Sequence, residues 1–294
     1  MVGELSGIGG AACWAAASIA MKLLATKVNA AVLNGLRCAV SLLFFLAVLA
    51  WVRRFGELAT LPLAAAGLVI LSGFIGVGLA DVTYIWSLKL IGAARAMPIS
   101  DTYPLITLIL AVFLLAEPIT PRLVAGTVLV VGGVVLLALP ADVGPSGWTG
   151  FLTGANRLGL LAAALTACGW AISATALKLG LANLDVLMCN VLRLATSSAS
   201  LLAIAAVAEP KSLDLRHFDR RTWAILLLIT VLGTFATLGF VVAVDLAGAA
   251  KASALSASAP VFGLPLAFVT GERLAPRVIM GTILTVIGIW LLVS

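Results

Sequence analysis

Gly92-Ala93-Ala94-Arg95-Ala96 stands 156 residues before Gly248-Ala249-Ala250-Lys251-Ala252, and the same displacement carries Ser100 onto Ser256 and Pro104 onto Pro260. Upstream it holds without a gap, superposing Trp14 on Trp170, Lys22 on Lys178, Asn34 on Asn190 and Arg37 on Arg193. Past a single-residue deletion it becomes 155, pairing Glu117 with Glu272, Pro121 with Pro276, Arg122 with Arg277, Gly126 with Gly281 and Gly133 with Gly288. The chain therefore reads as a duplication, residues 1–140 and 157–294, joined by a linker over 141–156.

Composition says what was duplicated. Of 294 residues, 63% are hydrophobic and 10% charged, with mean hydropathy +1.21; soluble domains run at roughly 45–50% and 25%. The apolar residues recur in ten segments, 5–26, 32–52, 63–88, 92–116, 122–140, 157–180, 186–208, 222–245, 248–270 and 276–293. As helices of about 20 residues these span roughly 30 Å of hydrocarbon. A transmembrane barrel needs alternating polarity, which the runs Ser41 to Ala50 and Leu123 to Leu139 lack. The expected fold is an all-α membrane protein with ten transmembrane helices. Each half holds five, an odd number, so the second half enters from the opposite side and the repeats are inverted. Inverted repeats suit alternating access, because each half can adopt the conformation its partner has left.

Several classes are excluded on the same page. The net charge of +6 is not gathered into a basic, aromatic-lined surface, so no nucleic acid is expected. Cys13, Cys38, Cys168 and Cys189 lie in apolar segments without metal-ligand or redox spacing and read as packing residues. No basic residue precedes Leu5 to Leu24, so that segment is expected to stay in the mature protein. An enzyme acting on membrane lipids would need clustered carboxylates, a metal site or a nucleophile with its base, and the single His217 has no such companion. No ATP-binding Gly-rich loop is present. Neither an enzyme nor a cofactor is expected. Only 140–156 and 209–221 are connections long enough for local structure, and Trp51, Trp148 and Trp223 mark segment edges.

The Trp14 and Lys22 pattern, Arg37, the Gly92 to Ala96 entry and the Glu117 to Gly133 run, each recurring, resemble the drug/metabolite transporter superfamily, specifically its ten-helix EamA-like transporters. The resemblance covers almost the whole chain. It implies an inner (plasma) membrane protein that exports or exchanges small metabolites, amino acids among them. The path it implies is a central cavity lined mainly by the first, third and fourth helices of each half. A flippase for a lipid-linked substrate is the alternative within the same fold. The family also implies both termini in the cytosol, whereas Lys211, Arg216, Arg220 and Arg221 crowd a loop that would then face outward, against the positive-inside rule. Some of those charges sit beside Asp214 and Asp219, and the family's orientation is the expectation carried forward.

Asp101 is the sharpest site candidate, about ten residues into the fourth segment between Pro98 and Pro104. A carboxylate at that depth costs about 2.5–3.5 kcal/mol on insertion scales, so it faces a cavity, pairs with a cation or carries a proton. The prolines free backbone carbonyls near Ser100 and Thr102 for a solute or water, and Tyr103 completes the motif. The alternative is a kink with a buried, hydrogen-bonded Asp. Its repeat mate is Ala257, while the equivalent helix keeps Pro260, adds Pro265 and supplies Ser253, Ser256 and Ser258. Asp81 and Tyr84, three apart, share a helix face and would line a wall with Trp14 and Trp170, ordinary packing being the competing account.

Lys22, Lys178, Arg37, Arg193, Arg95 and Lys251 read as interfacial anchors that snorkel to water, with attraction of anionic substrates as the alternative; Asn34 and Asn190 join the same network. Glu117 and Arg122, with Glu272 and Arg277, read as structural clamps. Gly126 and Gly133, like Gly281 and Gly288, lie on one helix face that either holds the halves together or forms a homodimer seam. The partners expected are the bilayer, a small-molecule substrate and, through that seam, a second copy.

Overall fold

The computed structural model describes residues 1–24, 27–91, 96, 99–138, 157–262 and 276–294. Gly92 to Arg95, Pro98, the 141–156 linker with Trp148, Pro265 and Glu272 lie outside the described residues. The described chain is helical, in ten elements: α1 Val2–Leu24, α2 Ala30–Trp51, α3 Leu63–Ile91, α4 Tyr103–Leu115, α5 Pro121–Ala138, α6 Arg157–Leu181, α7 Val186–Ala208, α8 Arg220–Ala247, α9 Ala249–Ser256 and α10 Pro276–Val293. Six of these are long and apolar enough to cross a membrane. Their outer faces carry exposed Leu43, Phe235, Ile283 and Trp290, as lipid contact requires.

Local chemistry sets the helix starts. Asn29 Oδ1 accepts from the Ala31 and Val32 amides at 2.8 and 3.4 Å at the head of α2. Its repeat mate Asp185 does the same for Leu187 and Met188 at 2.8 and 3.0 Å at the head of α7. Both satisfy amides that helix geometry leaves unpaired. Pro121 and Pro276 open α5 and α10, where a missing N–H does no harm.

The halves embrace by swapped pairs. α1 packs on α8 and α3 on α6, while α2 packs on α7, α4 on α9 and α5 on α10. Each of these five pairs maps onto itself or onto another of the five when the halves are exchanged, the mark of a two-fold relation. With five spans per half, its axis lies in the membrane plane. One face carries Met1, Ser294, and an ion pair from Lys251 to Glu4 at 3.1 Å; the other carries the Asn29 to Glu209 hydrogen bond of 2.7 Å. The predicted glycine face is spent inside the molecule. A Cβ on Gly133 would sit 2.6 Å from the Gly281 carbonyl oxygen, and one on Gly288 2.8 Å from that of Gly126, so α5 and α10 touch backbone to backbone.

Two departures from a regular helix frame the centre. Gly73–Ala80 in α3 is wound as a π-helix immediately before Asp81, whereas α8 is α-helical throughout. Such turns displace the following side chains around the axis. The fourth helix of each half also breaks at equivalent points, at Asp101 and Thr102 and again at Ala257 and Ser258. The Ile99 carbonyl accepts from the Thr102 hydroxyl at 2.6 Å and its mate, the Leu255 carbonyl, from Ser258. The chain itself thus occupies the Ile99 and Leu255 carbonyls at the two breaks.

Candidate functional site between the halves

Trp170, on α6, is the hub. Its indole Nε1 donates to Asp81 Oδ1 at 2.9 Å, and its ring lies 5.2 Å from that of Tyr84 and 5.6 Å, edge-on, from that of Tyr103. The site therefore draws α3 and α4 of the first half onto α6 of the second. Tyr103 Oη donates to the Ser253 carbonyl at 3.0 Å, with Ser256 beside it, bringing in α9. Asp81, Tyr84, Trp170 and Ser256 remain half-buried.

Asp81 is held from a second direction. Asn34 Nδ2 donates to Asp81 Oδ2 at 3.0 Å and to the Val77 carbonyl at 3.3 Å, a carbonyl within the π-turn. Asn34 Oδ1 in turn accepts from Arg37 Nε and Nη2 at 2.8 and 2.6 Å. Trp14 completes the set, its ring centroid 5.5 Å from the guanidinium carbon of Arg37. A charge relay of Arg37, Asn34 and Asp81 thus stands inside the bilayer, with an indole at each end from the two halves.

Arg37 and Arg193 correct the reading of these residues as interfacial anchors. Only 3% and 5% of their surfaces are exposed. Each is the eighth residue of its helix, about 10 Å along at ~1.5 Å per residue, and each guanidinium folds inward. Asn34 and Arg37, three apart, share a face, and that spacing was the signal in the sequence for an internal pair.

The remaining candidates fall in different places. Asp101 is half-buried at the break before α4, near enough to Tyr84 and Tyr103 for its charge to bear on both, and makes no hydrogen bond or ion pair among the described residues. Ser100 turns away: fully buried, it donates to the Ala163 carbonyl of α6 at 3.3 Å and serves packing. Lys178 Nζ donates to the Asp245 carbonyl at 2.7 Å. Glu117 clamps as expected, and across the halves: its carboxylate accepts from the Ala249 and Ala250 amides at 2.8 and 3.3 Å, on the positive end of α9. Gly248, at φ +89°, makes the turn that presents those amides. Among the described residues no three His, Cys, Asp or Glu side chains gather as a metal site.

Two copies of one transporter-family pattern account for this two-fold plan, matching residues 1–139 and 157–294. The chain belongs to the EamA-like transporter family. A relative named as an uncharacterized transporter of Archaeoglobus fulgidus is 24% identical over 293 residues, 99% of this chain and 98% of its own. A solved crystal structure shares the fold, with TM-score 0.76 at 21% identity over 98% of this chain and 95% of the other. This EamA-like protein is a multi-pass membrane transporter.

Proposed function

We propose that the protein is a secondary transporter of the cell's inner (plasma) membrane that exports small polar metabolites such as amino acids by alternating access. The observation that carries this reading is the cluster of half-buried Asp81, Tyr84 and Trp170 around buried Tyr103, contributed by both halves and joined across their boundary. A solute bound there would touch elements that move relative to each other when the halves rock. The two acids have different work. Asp81 is pinned by Asn34 and Trp170, whereas Asp101 has no hydrogen-bond or ion-pair partner among the described residues and is the group to take a proton or a solute cation.

Counterflow tests this: proteoliposomes are preloaded with pooled amino acids, amines and nucleosides and read by mass spectrometry, with and without a proton gradient. Selective exchange of one class is the expected result. No exchange of any member by folded protein would refute it and favour a lipid-linked substrate. A reporter fused after Ser294 fixes which face is cytosolic.

A further inference from the structure

The two halves carry the same Asn and Arg but not the same acid. In the first, Arg37 is bound by Asn34, and Asn34 by Asp81. In the second, the equivalents are Asn190, Arg193 and Thr237, and the carboxylate is missing. The geometry responds to that loss. Asn190 Nδ2 donates to the Val186 carbonyl of its own helix at 2.8 Å, and its Oδ1 meets only the Thr237 hydroxyl, at 3.5 Å. Arg193 lies with its guanidinium carbon 5.8 Å from the Phe240 ring centroid, the repeat mate of Tyr84. Among the described residues its Nε and Nη1, both buried, have no hydrogen-bond partner.

A buried, unpaired guanidinium is unfavourable unless something with complementary charge completes it. The acid nearest in the relay, Asp81, has both oxygens engaged, by Asn34 and Trp170. We infer that Arg193 anchors a carboxylate-binding subsite, in which the carboxylate of the transported solute supplies directly the negative charge that Asp81 supplies to Arg37 through Asn34 in the first half. The edge formed by Nε and Nη2, the one Arg37 uses toward Asn34 in the first half, matches the two oxygens of a carboxylate and leaves Nη1 for a further acceptor; Arg is suited to that pairing. Asn190, three residues before Arg193 on α7, and Thr237, joined to it only by a long 3.5 Å hydrogen bond, are the repeat mates of Asn34 and Asp81 beside this subsite. The inference rests on the carrier reading for the word "transported", and it narrows the substrate to solutes bearing a carboxylate.

The test uses the full chain in detergent, with thermal unfolding followed against two probes: a pool of amino and hydroxy acids, and the same compounds as primary amides. The acids are expected to raise the wild-type midpoint by a few degrees and the amides to leave it unmoved. Thr237→Asp rebuilds the first-half arrangement, so it should raise the ligand-free midpoint and abolish the response to acids. Arg193→Gln removes the orphan charge, should hold its fold, and should also lose the response. Amides that act as well as acids, no acid-specific shift at all, or a response that survives in Arg193→Gln would overturn the inference. Counterflow separates it from the carrier reading. Exchange that persists in Arg193→Gln leaves the carrier standing and removes this subsite. Arg193-dependent stabilisation by acids without any exchange leaves the subsite standing and removes the carrier.

Discussion

Trp170 Nε1 and Asp81 Oδ1, 2.9 Å apart, form a side-chain hydrogen bond between the two halves inside the bilayer. A bond to a charged group at such a place contributes about 1.5–3 kcal/mol. Trp170→Phe keeps a ring against Tyr84 and Tyr103 but deletes the donor, and should lower stability in a denaturant titration by about that amount. Asp81→Ala should cost more, about 3–5 kcal/mol, because it also strips Arg37 of its compensating charge. Equal effects would show that the relay is not a unit.

Asp101→Asn should leave the protein folded, since no described bond depends on the carboxylate, while gradient-driven accumulation is lost. Counterflow without a gradient should persist in that variant. Gradient-driven transport at the wild-type rate would remove Asp101 from the mechanism.

Close packing of α5 on α10 predicts a sharp contrast between adjacent glycines. Gly133→Ala forces a Cβ to within 2.6 Å of the Gly281 carbonyl and should destabilise by about 1–3 kcal/mol. Gly132→Ala meets nothing within 4 Å and should be neutral or slightly stabilising. Thermal unfolding of the two variants side by side decides it.

On the face that bears the termini, Asp185 caps α7 and pairs with Arg54, which also binds Glu57. Burial works to raise the Asp185 carboxyl, but Arg54 and the Leu187 and Met188 amides outweigh it and hold the group below its ordinary value. A lowered folded value means stability present above the unfolded carboxylate range and lost as pH falls through the folded value. Acid should therefore loosen this face, and Asp185→Asn, which keeps the cap but loses the ion pair, should flatten that acid-side decline.

Much of this architecture is legible without coordinates because it is written twice. The recurrence of Trp14, Asn34, Arg37, Gly126 and Gly133 at one displacement announces the halves, and hydropathy supplies the spans. What the recurrence hides is the place where the halves differ. The π-turn at Gly73–Ala80 has no counterpart in α8, and no periodicity rule anticipates that its Val77 carbonyl meets Asn34. Arg37 and Arg193 are misread for a related reason: a basic residue near a helix start suggests an anchor, and only the packing of α2 on α7 shows them turned inward. Ser100 resists from the other side, since a hydroxyl beside Asp101 suggests a ligand until its bond to the Ala163 carbonyl is seen.

The central claim, that one site between the halves opens to each face in turn, is tested most directly at Ser256, half-buried beside Tyr103. Ser256→Cys would be exposed to a membrane-impermeant thiol reagent in right-side-out and inside-out vesicles, with modification of that position read by mass spectrometry. The account predicts labelling from both faces, in proportions that shift oppositely when a proton gradient is imposed. Labelling from one face only, whatever the gradient, would contradict it.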